Sequence, residues 1–293
     1  MRCRWARLGV AALVLAFGLV GCGHKQSAAE KPGDPQAILA PGGDAGTAEH
    51  TLAVDPVLQQ PFAQATVADP PTSDWEVPPN LTMTGKSVGK LYTEVVNRWK
   101  DVPFVSPSGK YLAYRATLDT EMGLIEIALR PDLAPNHVRN FVALARAGYY
   151  DGLVFERTLH GEIDGQADAK VDWIEAGCPL GTGQIGFGSI GYWLKPELSN
   201  AMSHEVGAVG AWHGEGTDMA ACKFYINLHP APAMDGAFAI FGKVTRGLDI
   251  AKKIHSLPAR NDPDFPDRDR PVKPVVIRKV TIETSEVEKL GPN

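Results

Sequence analysis

The sequence predicts a mostly β domain capped by a few helices, and three observations carry that prediction. Residues 111–118, 124–129 and 153–155 are short runs of apolar, β-branched and aromatic residues bounded by turn formers. Residues 275–284 alternate apolar and polar, and they form a last strand that can complete a barrel. Within this region only residues 136–147 and 247–254 carry the three-and-four spacing of a helix face.

Each element follows in order. Residues 119–123 (Asp-Thr-Glu-Met-Gly) are the turn between the first two strands. Pro131 and Pro135 break the chain, and Asn136 is the expected N-cap of the next helix. Phe141, Leu144 and Ala145 give that helix an apolar face, and Gly148 stands where its C-terminus needs positive φ. Tyr149-Tyr150-Asp151-Gly152 is a turn, and Leu153-Val154-Phe155 is a short buried strand that delivers Arg157. A polar insertion at residues 160–171 precedes the apolar segment 173–179. The Gly-rich stretch 181–191 could cradle phosphate only if a helix followed it, whereas residues 192–194 read as extended. Residues 222–226 form a further strand, and residues 261–274 form a polar, Pro-laden loop.

The stretch 140–157 (NFVALARAGYYDGLVFER) resembles the signature of the cyclophilin-type peptidyl-prolyl cis-trans isomerases: a helix, a Gly-Tyr-Tyr-Asp-Gly turn, a strand and Phe-x-Arg. Residues 234–244 (MDGAFAIFGKV) are similar to a second family pattern, and the likeness spans roughly residues 112–254. The resemblance implies a closed antiparallel β-barrel capped by helices. It also implies catalysis of rotation about X–Pro bonds, with Arg157 as the catalytic residue facing substrate. For the substrate-binding groove it implies Tyr225 at the pocket floor, Met234 at the pocket Leu, and Phe238 where relatives carry His. Trp212 and His213 take groove-lining positions. After the insertion the match places Asp172 at a pocket Phe, Trp173 at a pocket Met, and Glu175 and Lys223 at two Gln positions. The last two are charge-complementary. If Glu175 also pairs with Arg157, activity is weaker than in a relative with the usual groove. His204 matches a structural turn residue. The resemblance also sets Cys178 and Cys222 on neighbouring segments, where export would permit a disulfide.

Arg2, Arg4 and Arg7 precede an apolar run at residues 8–20, too short to span a bilayer and suited to a signal-peptide core. The run ends in Leu19-Val20-Gly21-Cys22, which resembles a bacterial lipoprotein signal with Cys22 lipidated. An ordinary cleaved signal or an anchor helix is the alternative. The chain is therefore expected at the cell envelope, lipid-anchored on the periplasmic side or at the outer membrane. The domains expected are a signal peptide (1–21), a lipidated disordered tether (22–74), a small helical extension (75–110), the cyclophilin-like domain (111–286) and a tail (287–293). In the extension Val88, Leu91, Val95 and Trp99 share a helix face, with Lys90 and Glu94 at i,i+4. That helix either packs on the following domain or binds a partner.

A net charge of −5 offers no basic surface for nucleic acid. The eight His show no zinc spacing with a third ligand, and no Ser stands in a Gly-x-Ser-x-Gly elbow, so no metal or cofactor is expected. Two functions remain. One is an isomerase acting on X–Pro bonds of exported proteins; the other is a catalytically weakened module that binds proline-containing segments or an envelope partner.

Overall fold

Strand-forming runs dominate the chain, and they pair as one large antiparallel sheet. The computed structural model describes residues 58, 60–67, 78–162, 170–182, 189–213, 220–260 and 269–291, all within the unit Leu52–Asn293. The strands are β1 (Thr66–Val67), β2 (Tyr111–Thr120), β3 (Gly123–Leu129), β4 (Phe155–Glu162), β5 (Lys170–Ala176), β6 (Trp193–Leu194), β7 (Ala208–Ala211), β8 (Phe224–Asn227), β9 (Ile240–Arg246) and β10 (Ile277–Val287). The helices are α1 (Phe62–Ala65), α2 (Val88–Arg98), α3 (Pro135–Arg146) and α4 (Leu248–His255). Eight strands form a sheet in the order β10-β2-β3-β9-β7-β8-β5-β4, while β1 pairs with β6 separately.

The mostly β architecture is as expected, but the sheet does not close into a barrel. Among the described residues its outer strands β10 and β4 meet near one end, through the bridge Val154↔Val276. There Phe155 N–H donates to Val275 O at 2.9 Å and Ile277 N–H to Leu153 O at 2.8 Å. Past that point the β4 edge is met by a loop, where Thr158 N–H donates to Asp269 O at 2.8 Å. A loop therefore occupies the seam that a ladder would need.

Helix α3 runs through the core, with Val138, Phe141, Val142 and Leu144 fully buried. The expected cap is corrected: Asn136 lies inside the first turn, Pro135 opens the helix, and the flanking Ala134 makes no side-chain cap bond. Pro is well suited to the first helical position, where its missing N–H costs nothing. The orphan N–H groups of Asn136 and His137 donate instead to the Glu197 carboxylate, each at 2.9 Å to Oε2. At the other end Gly148 takes φ +68, as expected, and lets the Tyr149 N–H fold back to Leu144 O at 2.9 Å.

Helix α2 is present and buries Val88, Leu91 and Val95 in the same core cluster as α3. It packs on the domain rather than standing free for a partner. Glu94 pairs with Arg98 at 3.0 Å rather than with Lys90, in the favoured orientation of acid before base. The reading of residues 22–74 as tether is corrected at its far end. Leu58 and Ala65 are buried, β1 pairs with β6, and Phe62 meets Trp99 and Tyr192 edge-on. Leu52, Val54, Val57, Leu58, Phe62 and Val67 follow no sustained period, so the sequence does not announce this docking. The signal segment, Cys22 and most of the tether lie outside the described residues. Among the described residues no helix is long and apolar enough to cross a membrane.

Candidate active site

The β4–β5 hairpin sets the site, and a β-bulge decides which face receives Arg157. Side chains alternate across a strand, so Phe155 and Arg157 would ordinarily share a face. The register slips between them: Phe155 opposes Ala176, yet Arg157 opposes Glu175. Glu156 is thus the extra residue, as in a bulge that re-aims a side chain. Phe155, Ile174 and Ala176 stay in the main core, while Arg157 turns to the opposite face with Glu175. Further along, Leu159 and Trp173 follow Arg157 onto that face, and His160 and Asp172 fall on the other.

On the face that Arg157 joins lies a second, smaller apolar cluster. Val171, Trp212, Tyr225, Ala231 and Met234 are buried there, with Leu159, Trp173 and Phe238 packed against them. The fold therefore gathers Trp173, Tyr225, Met234, Phe238 and Trp212 as expected, from β5, β8 and the loops after β7 and β8. Tyr225 is fully buried with Trp173 at 5.6 Å and Phe238 edge-on at 6.0 Å between centroids. Gly210 opposes it on β7, and any Cβ there would meet the Tyr225 ring at 2.2 Å. Only glycine lets that ring lie on the strand. His213 stacks on Phe238 at 4.2 Å.

The Tyr225 hydroxyl has the partner its burial demands. It lies 2.7 Å from His204 Nε2, and His204 Nδ1 lies 2.7 Å from Asp235 Oδ1. Ser203 Oγ donates to the other Asp235 oxygen. Burial pushes the His204 imidazole pKa down despite Asp235, so the ring is neutral and structural, as the turn reading expects.

Charge on this face is closely matched. Arg157 Nη1 donates to Glu175 Oε1 at 3.2 Å, and Nη2 lies 3.5 Å from Asp269 Oδ2. Trp173 Nε1 donates to the same Glu175 oxygen at 2.7 Å, and Lys223 Nζ to Oε2 at 3.0 Å. Lys223 Nζ also sits 3.6 Å from the Trp212 ring centroid, a cation–π contact. Burial pushes the Glu175 carboxyl up, but Lys223, Arg157 and these donors outweigh it and hold it below the usual range. Arg157 is only 9% exposed and so is held between two acids.

Sequence reasoning missed Glu156 and Asp269. Glu156 is fully buried; Oε1 accepts the Cys178 N–H at 3.0 Å, and among the described residues Oε2 accepts no bond. Burial raises its pKa to about 7, against the pull of Lys223. A carboxylate between the apolar Phe155 and Arg157 was the available signal. Asp269 sits in an irregular loop and left none. Two further expectations are corrected. Asp172 is not in the pocket, because strand alternation turns it to the α4 side, where it lies near His255. Cys178 and Cys222 are buried but not bridged. The Cys178 thiol faces Thr182 Oγ1 at 3.8 Å, and the Cys222 thiol is in hydrogen-bonding contact with Tyr149.

Residues 115–282 match the family described as cyclophilin type peptidyl-prolyl cis-trans isomerase/CLD. The chain is similar to peptidyl-prolyl cis-trans isomerase B of Bacillus subtilis, 40% identical over 131 residues, covering 44% of this chain and 82% of that protein. It is also similar to peptidyl-prolyl cis-trans isomerase CYP18-2 of Arabidopsis thaliana, 30% identical over 166 residues, covering 57% of this chain and 92% of that one. A crystal structure of a Cryptosporidium parvum cyclophilin-type isomerase aligns with TM-score 0.49 and 20% identity, covering 58% of this chain and 98% of that one.

Proposed function

From the premise that the chain belongs to the cyclophilin-type peptidyl-prolyl cis-trans isomerase family, we propose that it rotates X–Pro bonds of exported polypeptides at the groove around Arg157. The observation that carries the assignment of the groove is a convergence. Arg157 and Trp173 donate to one Glu175 oxygen, at the edge of the aromatic cluster that holds Tyr225, Met234 and Phe238.

The chemistry asks little beyond that geometry. Amide resonance sets a barrier of roughly 18–20 kcal/mol to rotation. An apolar wall grips the proline ring, and a fixed donor bonds the prolyl nitrogen as it loses conjugation. A guanidinium serves because it stays charged and presents rigid donors. Trp173, Tyr225, Met234 and Phe238 would supply the wall, with Trp212 and His213 extending it. Glu175 and Lys223 would orient the guanidinium. The N-terminal Arg and apolar pattern ending at Cys22 supports a lipid anchor that holds the domain at the cell envelope, on the periplasmic side or at the outer membrane.

A second reading is favoured by one observation. Arg157 spends donors on Glu175 and Asp269, so the groove suits a weakened module that binds proline-containing segments or an envelope partner. Proline cis/trans exchange in a short X–Pro peptide, followed by NMR, separates the two. The isomerase reading expects acceleration by the wild type, and a fall of about a hundredfold in Arg157→Ala, the loss typical of removing one transition-state donor. Equal exchange with and without wild-type protein would leave only the binding module.

A further inference from the structure

Folding brings together three residues that the groove does not use. His160 on β4 stands opposite Asp172 on β5, and His255, the last residue of α4, lays its ring on that of His160 with centroids 3.8 Å apart. One ligand-capable atom from each of the three lies within 4.8 Å of the other two. His160 Nδ1 is 3.7 Å and His255 Nε2 is 3.9 Å from the same atom, Asp172 Oδ1.

That oxygen is the informative one. Asp172 is 7% exposed, and its Oδ1 is buried with no hydrogen-bond partner among the described residues. Its other oxygen, Oδ2, holds Lys170 Nζ at 2.8 Å. Leaving a buried carboxylate oxygen unpaired is costly, and here it faces two imidazole nitrogens. The His160 ring is oriented as metal ligands commonly are: Nε2 lies 3.2 Å from the His255 carbonyl oxygen. A proton held there leaves the Nδ1 lone pair toward Asp172.

We propose that His160, Asp172 and His255 form a binding site for a divalent transition-metal ion of the zinc type. Two imidazoles and one carboxylate are a borderline nitrogen–oxygen donor set, which suits zinc and its neighbours and not the all-oxygen preference of calcium or magnesium. With bonds of about 2.0–2.1 Å, tetrahedral ligand atoms stand about 3.3 Å apart, so the two histidines close on Oδ1 by about half an ångström. His255 Nε2 lies 2.8 Å from Leu159 O. Ligation at that nitrogen exchanges this hydrogen bond for a metal bond, and the neutral ring carries its one proton on Nδ1 instead. Half of the His160 side chain is open to water, so a solvent molecule can take the fourth position. The ion would pin the β4–β5 hairpin, which carries Arg157 and Glu175, to the end of α4.

Calorimetric titration of the full-length chain with zinc chloride tests the site, with His160→Ala, Asp172→Asn and Lys170→Ala beside it. The wild type should bind one equivalent that magnesium does not displace. His160→Ala and Asp172→Asn should weaken that equivalent tenfold or more, and Lys170→Ala should tighten it by removing a competing cation. His160 is exposed, so its variant keeps the fold, and an unchanged circular dichroism spectrum checks that. A wild type that takes up no zinc, or one whose zinc affinity survives both ligand variants, overturns the proposal.

Discussion

The two faces of the β4–β5 hairpin treat buried charge in opposite ways. On the groove face both Glu175 oxygens have donors, from Arg157, Trp173 and Lys223. On the α4 face Asp172 keeps one oxygen with Lys170 and, among the described residues, leaves the other with none. The groove is saturated: its geometry is fixed, and the guanidinium is partly spent before a substrate arrives. The other face carries a deficit, which is what a ligand site looks like before its ligand. Satisfied networks hold positions, and unsatisfied ones invite occupants.

The strongest way to break the groove side is to remove Lys223. Its ammonium is buried with Glu175, and deleting one member of a buried pair costs about 3–5 kcal/mol because the other charge stays behind. Lys223→Met should therefore lower the urea midpoint sharply. The double variant Glu175→Gln/Lys223→Gln removes both charges, restores the family-like amide pair and should recover most of that stability. It should also release Arg157 Nη1, raising X–Pro exchange severalfold over wild type in the NMR assay. A double variant no faster than wild type would show that the acid was never a brake.

Glu156 offers the next largest effect, through pH. Its folded pKa of about 7 lies above its ordinary 4.5, so the folded chain holds that proton where the unfolded chain has lost it. The stability this proton contributes is complete below about pH 4.5 and is lost as pH rises through 7. With a shift of this size the loss is on the order of 3 kcal/mol, since each unit is about 1.4. Glu156→Gln should raise the melting temperature at pH 8 and flatten its dependence between pH 5 and 8. An unchanged slope would mean that Glu156 is ionised throughout and that Lys223 serves two carboxylates.

Much of this was legible in the sequence, and the remainder fails for a physical reason that can be named. Local signals held. Gly148 ended its helix, the turn at residues 119–123 joined its strands, and Phe-x-Arg led to the groove. The aromatic cluster was foreseen only through family positions, since Tyr225 and Met234 read alone are ordinary core. What failed was register and distance. The match set the adjacent residues 172 and 173 both in the pocket, but neighbours on a strand point to opposite faces, so Trp173 reaches it and Asp172 does not. His160 and His255 stand 95 residues apart, and no spacing rule joins them. The seam at Val154 and Val276 depends on a loop edge that composition does not encode.

The smallest expected effect tests whether saturation in the groove extends to its floor. Asp235 fixes the proton of His204 on Nδ1, so Nε2 presents a lone pair and the Tyr225 hydroxyl donates to it. Tyr225→Phe restores the aromatic that relatives carry but leaves Nε2 buried with nothing to accept, at a cost of about 1–2 kcal/mol. The His204 ring should keep its tautomer, visible in its nitrogen shifts, because Asp235 remains. Exchange rate on the X–Pro peptide should change by less than about twofold, since the hydroxyl is spent on His204 Nε2. A tenfold loss would instead place the hydroxyl among the groups that touch the substrate. The floor would then be an active surface, and the division between a spent face and an open one would have to be redrawn.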